Sequence, residues 1–223
     1  MDHRSQSSEQ AEQNSRDGSN VLETERGNRI NPSLTTETIV ESVFRKLCAV
    51  LVDHVEMIST SVHLYGRSLL LSARLHVDDR GKIIGSGGVT VAALETVLSA
   101  IGSRDGLTVR VSVSDQVLGK ESNRRPSFKP AVNWNSGPIA ALLREVAFRL
   151  FSEPVVTAQD DWDCTILSVR PNEKVSGADA DRLSTALTVI FRAIGKAKGR
   201  NEIIVNVETG KDSKAKAGQN DSR

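Results

Sequence analysis

Apolar residues recur at helical spacing in some segments of the chain and alternate with polar residues in others. Residues 39–51 place their large apolar side chains on one face of a predicted helix, for which Thr35 or Thr36 is the expected N-cap. Two strand-like runs follow at residues 55–64 and 69–77, and residues 65–67 are predicted to join them in a hairpin turn. This segment therefore predicts a helix followed by two antiparallel strands.

Residues 79–113 predict a short helix, a glycine turn, a long helix and a strand. Ile83 and Ile84 close an apolar turn immediately before the glycine-rich residues 85–88. The long helix ends near Gly102 and Gly106, after which valines alternate with polar residues as in a half-buried strand. The predicted order over residues 34–114 is α-β-β-α-α-β. One apolar stripe on the long helix is formed by Val91, Leu94, Val97, Leu98 and Ile101.

The same order begins again after a polar, proline-containing stretch at residues 115–136, which predicts a linker. Residues 137–208 predict a helix at 138–151, strands at 154–158 and 164–169, a long helix at 179–194 and a last strand at 202–207. The pairs Ala93-Leu94 and Ala100-Ile101 align without a gap with Ala186-Leu187 and Ala193-Ile194. This internal similarity predicts a duplicated α+β module, and we expect the helices of the two copies to pack together as a pseudo-dimer.

Composition and charge limit the possible partners. The 223 residues carry a formal net charge of only +1, so a nucleic-acid site must be a local patch. Aromatic residues make up only 4% of the chain, so extensive base stacking is not expected. Residues 1–33 and 209–223 are too polar to form a core and are predicted to be disordered. The lysines of the second tail, Lys211, Lys214 and Lys216, would add only weak, non-specific attraction. No signal-like or 18-residue apolar run is present, so we expect a cytoplasmic protein with Cys48 and Cys164 reduced.

No pattern of catalytic or metal-binding residues stands out. His54, His63 and His76 lack the spacing of ligands or of a triad, and no nucleophile has an adjacent base, so the sequence predicts neither an enzyme nor a cofactor or metal. Residues 124–130 mix basic residues with Phe128 and are either a solvated connector or a segment that follows a phosphate backbone. Trp134 and Trp162 are expected to be packing residues. A hairpin turn explains Asp160, Asp161 and Asp163 better than a cation site does.

The glycine turn and its flanks resemble the KH family of nucleic-acid-binding modules. The order α-β-β-α-α-β is the one that the family calls type II, and small bacterial single-KH proteins share the form GKxIGxxGxTxxALxxVLxAI. Here that form runs from Gly81 to Ile101. The resemblance implies that the loop clamps the backbone of about four single-stranded nucleotides. The residues it assigns to RNA are Arg80, Lys82, Ile83, Ile84, Gly85, Ser86, Gly87, Gly88 and Thr90.

The resemblance also implies a role for each kind of residue in this set. The glycines allow the backbone to approach a sugar-phosphate chain, and the start of the long helix favours an anion. Ile83 and Ile84 would line or support the groove for the bases, Lys82 or Arg80 would meet phosphates, and Thr90 would cap the helix or donate to an oxygen. Ser86 and Gly87 stand where such loops usually carry a basic residue, which lowers the salt-dependent affinity.

The second copy departs from the family at its loop, because residues 178–181 read Ala-Asp-Ala-Asp where the first copy has Gly-Ser-Gly-Gly. We expect this copy to keep the fold, to have lost the RNA site, and to serve stability or contact with a protein partner. A dinucleotide-binding turn fits poorly, since its third glycine would fall at Thr90. The function predicted is single-stranded RNA binding by the first copy. The alternative is a protein-interaction scaffold that no longer binds nucleic acid, in which residues 85–88 only connect two helices.

Overall fold

A computed structural model describes residues 35–114, 136–161, 164–199 and 202–209. Several predicted features lie outside these residues: the first tail, the second tail after Thr209 with its lysines, nearly all of the linker with Phe128 and Trp134, and also Trp162 and Asp163. The predicted domain boundaries therefore stay predictions. The described first half consists of α1 (Thr36–Leu51), β1 (Ser59–Tyr65), β2 (Ser68–Arg74), α2 (Val77–Ile84), α3 (Val89–Gly102) and β3 (Thr108–Val113).

The first half forms a three-stranded sheet in the order β1-β2-β3, covered by its helices. Strands β1 and β2 are antiparallel with Tyr65 opposite Ser68, so the predicted hairpin has a two-residue turn in which Gly66 takes a positive φ. Strand β3 runs parallel to β2, which requires the crossover through α2 and α3. Of the two expected caps for α1, Thr35 is the one observed, since its side chain accepts a hydrogen bond from the Thr38 N–H.

Two predicted strand boundaries are wrong. The first strand was expected to begin at residue 55, but Val55–Met57 forms a 3-10 turn and β1 begins at Ser59. The second strand was expected to extend to residue 77, but β2 ends at Arg74 and α2 begins at Val77. His76 accounts for the second difference, because its ring accepts a hydrogen bond from the Asp78 N–H and caps α2.

The second half contains α4 (Gly137–Leu150), β4 (Val155–Asp160), β5 (Cys164–Arg170), α5 (Gly177–Ala197) and β6 (Glu202–Val207). Its sheet has the order β4-β5-β6, with β4 antiparallel and β6 parallel to β5, as in the first half. The mixed α+β, KH-like architecture is confirmed. The order α-β-β-α-α-β expected for both copies is incomplete here, because only residues 171–176 separate β5 from α5 and they do not form the short helix that precedes the long one in the first half. The described second half is therefore α-β-β-α-β.

The two halves share one hydrophobic core. Buried side chains from both sheets and from α1, α3, α4 and α5 form a single cluster, and α3 packs directly against α5. Polar contacts cross the same boundary, since Lys46 pairs with Glu145 and an Arg104 guanidinium N–H donates to the Arg149 carbonyl at 3.3 Å. This packing agrees with the expected pseudo-dimer of helices.

The segment Ser86–Asp105, which contains α3, is long and apolar enough to cross a membrane by length and mean hydropathy (1.2) alone. The sequence pattern predicted no apolar run of this length. Leu94, Val97 and Leu98 are fully buried in the shared core, and the helix contacts α1, α5 and β3. The apolar composition of this segment is therefore explained by its position as a core helix.

Candidate nucleic-acid interface

The loop of residues 85–88 connects the C-terminus of α2 to the N-terminus of α3. Gly85, Gly87 and Gly88 have φ angles of +75°, +61° and +81°, which L side chains rarely adopt. The Gly85 N–H donates to the Gly81 carbonyl at 2.9 Å, and the Gly88 N–H donates to the Gly85 carbonyl at 3.2 Å. The glycines thus allow the chain to reverse between two helices within a single 3-10 turn.

Gly85 is required by its surroundings as well as by its backbone angles. A Cβ placed there would lie 2.8 Å from the backbone nitrogen of Thr90 and still closer to its hydroxyl oxygen. Thr90 is buried on the inner side of the loop, and the residue that caps α3 is Gly88, which provides no side-chain hydrogen bond. The expectation that Thr90 caps the helix is therefore wrong, and the Thr90 side chain instead packs against the loop.

The outer side of the loop is open. Ser86 and Gly87 are exposed, Gly88 is half-buried, and no atom lies within 4 Å of a Cβ built at Gly87. The N–H groups of the first turn of α3 lie at the positive end of its dipole, and two of the amides around this point have partners in the loop, since Gly88 donates to Gly85 and Val89 donates to Ser86. This surface is suited to an anion that approaches the backbone closely.

The two isoleucines before the loop have different environments. Ile83 is fully buried in the core, whereas Ile84 is half-buried. Of this pair, only Ile84 offers apolar surface beside the loop, and Ile83 holds α2 against the core. Val89 follows the loop and is 48% exposed, so it adds apolar surface on the α3 side.

Lys82 is held by two carboxylates. Its Nζ lies 2.7 Å from Asp79 Oδ1 and 2.8 Å from Asp53 Oδ2. Burial alone would lower the pKa of Lys82, but the hydrogen bonds from Lys82 to Asp53 and Asp79 raise it above its ordinary value. The lysine therefore stays charged, with that charge balanced by its own neighbours. Arg80, the other expected phosphate contact, is half-buried.

Asp79 is the centre of this network and is not among the site residues predicted from the sequence. Its carboxylate is almost fully buried and accepts hydrogen bonds from the backbone N–H groups of Asp53 and His54, from the His54 ring and from Lys82. Burial alone would raise the pKa of Asp79, but these hydrogen bonds hold it well below its ordinary value of 3.8. Asp79 thereby fixes α2, which carries the loop, to the segment that follows α1.

The second half has no glycine loop at the corresponding position. Residues 178–181 lie in the first turn of α5, where Ala180 is buried. The Ser176 hydroxyl accepts a hydrogen bond from the Asp179 N–H at 3.1 Å and lies 2.7 Å from the Asp179 carboxylate. A capped helix start therefore occupies the place of the glycine turn, with two exposed carboxylates at Asp179 and Asp181.

Comparison with known proteins places the resemblance in the first half. The model of the KhpA/KhpB KH-domain family matches residues 41–113. The RNA-binding protein KhpA of Halalkalibacterium halodurans is 35% identical over 79 residues, which cover 35% of this chain and 99% of that protein. The KhpA proteins of Streptomyces coelicolor (36% over 77 residues; 34% of this chain and 94% of that protein) and Mycobacterium tuberculosis (33% over 78 residues; 35% and 96%) match similarly.

Proposed function

Because the chain belongs to the KhpA/KhpB KH-domain family, we propose that it binds single-stranded RNA through the loop of residues 85–88. It is a binding protein and not an enzyme. The observation that carries the proposal is the loop itself, which presents exposed glycine backbone at the N-terminus of α3. The relatives that match the first half over nearly their whole length are named as RNA-binding proteins.

In this proposal the sugar-phosphate backbone lies against Ser86, Gly87 and Gly88. Absence of side chains at the two glycines lets phosphate oxygens approach the amides at the start of α3, and the helix dipole favours their charge. Ile84 supplies apolar surface for a neighbouring base. The role of Ile83, Thr90 and Gly85 is structural in this proposal. Ile83 and Thr90 are buried, and the close contact between Gly85 and Thr90 holds the turn in the shape that exposes its backbone.

Backbone groups provide most of the phosphate recognition in this proposal. Within residues 85–88 only Ser86 has a side chain, and that side chain is exposed and uncharged. The charge of the nearby Lys82 is balanced by Asp53 and Asp79. We therefore assign Lys82 to positioning α2 and not to a direct phosphate contact. Affinity is then expected to depend weakly on salt, since each phosphate neutralised by a cation contributes about 0.7 to the slope of log affinity against log salt for single strands.

The second half stabilises the first in this proposal and does not bind RNA at the equivalent position. Helix α5 begins where a loop would be needed, and it packs against α3, the helix that starts at the RNA-binding loop. Two carboxylates at the start of α5 would repel a phosphate.

A lysine at position 86 tests the location of the site. Ser86→Lys is expected to raise the affinity for a short single-stranded RNA and to steepen the salt slope by about 0.7. Ser103→Lys is the matched control, because Ser103 is also exposed and lies at the opposite end of α3. Fluorescence anisotropy over a range of salt measures both quantities. An equal gain in both variants would show that the added charge acts non-specifically and would contradict the proposed site.

A further inference from the structure

Three potential metal ligands meet beside the first turn of α2. His54 precedes β1, whereas His76 and Asp78 follow β2, and the antiparallel pairing of Ser59 with Arg74 brings these two ends of the hairpin together. One donor atom from each of the three side chains lies within 4.8 Å of the other two, and the centroids of the two imidazole rings are 4.1 Å apart. The sequence-based conclusion that these histidines lack ligand spacing missed this proximity.

The His54 ring is oriented as metal-binding imidazoles usually are. Its Nδ1 lies 2.8 Å from Asp79 Oδ2, the same oxygen that accepts the His54 backbone N–H at 2.8 Å. Because a carboxylate accepts, Nδ1 is the nitrogen that carries the proton, and the lone pair of the neutral ring is on Nε2. A buried carboxylate that fixes an imidazole in this way is the common support for a histidine ligand.

His76 and Asp78 already have a separation suited to a shared ion. His76 Nδ1 lies 3.6 Å from Asp78 Oδ2, and two ligand atoms each about 2 Å from a tetrahedral zinc ion are separated by roughly 3.3 Å. The lone pair of His76 Nδ1 accepts the Asp78 N–H at 3.3 Å, so an ion bound at this nitrogen would take the place of that long hydrogen bond. His54 and Asp78 are partly exposed, which leaves a path for the ion and room for water.

We propose that His54, His76 and Asp78 bind one Zn²⁺ ion, with water completing a tetrahedral set. Two imidazoles and a carboxylate are a ligand set that zinc commonly takes in proteins. The ion would join the segment after α1 to the first turn of α2. Since the other end of α2 carries the loop of residues 85–88, the site has a structural role in holding that helix in place.

The test uses the full-length, metal-free chain, Co²⁺ as a spectroscopic probe and Zn²⁺ as its competitor. We expect one Co²⁺ per chain with the intense visible absorption of tetrahedral cobalt, its displacement by Zn²⁺, and a higher melting temperature with Zn²⁺. His54→Gln and Asp78→Asn are each expected to weaken Zn²⁺ binding roughly tenfold or more and to reduce the thermal shift. Circular dichroism checks that each variant is folded. Asp78→Asn keeps the size and shape of the side chain at an exposed position and removes its negative charge.

The two other histidines of the chain, His3 and His63, provide matched controls. His3→Gln and His63→Gln are expected to bind Zn²⁺ as tightly as the unmodified chain does. Absence of a saturable 1:1 site would overturn the proposal. So would equal affinity in Asp78→Asn and the unmodified chain, or loss of binding only in His3→Gln or His63→Gln.

Discussion

Gly85 and Gly87 have similar positive φ angles, but their surroundings differ. A Cβ at Gly85 would collide with Thr90, whereas a Cβ at Gly87 would meet no atom within 4 Å. We expect Gly87→Ala to lower the free energy of unfolding by about 1–2 kcal/mol, the cost of a left-handed L-residue. Gly85→Ala is expected to cost about 1–3 kcal/mol more, because the ψ of 172° at Gly85 lies in a region essentially restricted to glycine and because its Cβ would collide with Thr90.

Urea denaturation of the two single variants measures this difference. Equal losses of stability would contradict the account of Gly85, since they would show that neither its backbone angles nor its contact with Thr90 adds to the cost seen at Gly87. The sequence identified both glycines through their motif. It did not distinguish their roles, because the contact with Thr90 depends on how α3 starts in three dimensions.

At the scale of elements, the position of α2 depends on the buried carboxylate of Asp79. The pKa of Asp79 is lower in the folded chain than in the unfolded chain. The stability that the Asp79 carboxylate contributes is therefore fully present above its ordinary pKa of 3.8, and it is lost as the pH falls from 3.8 toward the pKa of the folded state. We expect the unfolding free energy of the unmodified chain to fall steeply below about pH 4. Asp79→Asn is expected to lose about 1–3 kcal/mol at neutral pH and to show a shallower fall in acid.

Urea unfolding at a series of pH values between neutrality and acid tests this expectation. Asp78→Asn is a useful comparison, because Asp78 is an exposed neighbour on the same helix turn. If Asp79→Asn and the unmodified chain gave parallel pH profiles, the assignment of acid sensitivity to Asp79 would be wrong.

Local patterns predicted most elements, and the exceptions have physical reasons. The last strand was predicted with the observed bounds, and the hairpin and the long helices differ only near their ends, because their signals are local alternation, helical periodicity and glycine. The missing helix of the second half was expected from the first copy alone, although residues 171–176 are too few for it. The pairing of Lys82 with Asp79 is an i,i+3 contact that helical spacing allows, whereas the pairing of Lys82 with Asp53 needed a tertiary contact that no spacing shows.

At the scale of the whole molecule, the shared core predicts that the halves remain associated without a covalent link. A protease site inserted within residues 115–135 and then cut is expected to leave two fragments that elute together from a size-exclusion column. The reason is that α3 and α5 bury apolar side chains against each other. Separate elution of two folded fragments would contradict this packing. The similarity of the two copies allowed this association to be proposed from the sequence, but not the identity of the helices that meet.

The central claim is that exposed backbone at residues 85–88 binds single-stranded RNA, and Gly87 offers the most direct test. Asn and Asp both tolerate the left-handed backbone of this position, and both have open space there. Gly87→Asp and Gly87→Asn therefore differ mainly by one negative charge. Fluorescence anisotropy with a short single-stranded RNA pool, on full-length variants of matched stability, should show strong loss of affinity for Asp and a smaller loss for Asn. Equal affinity of the two variants, both unchanged from the unmodified chain, would contradict the claim.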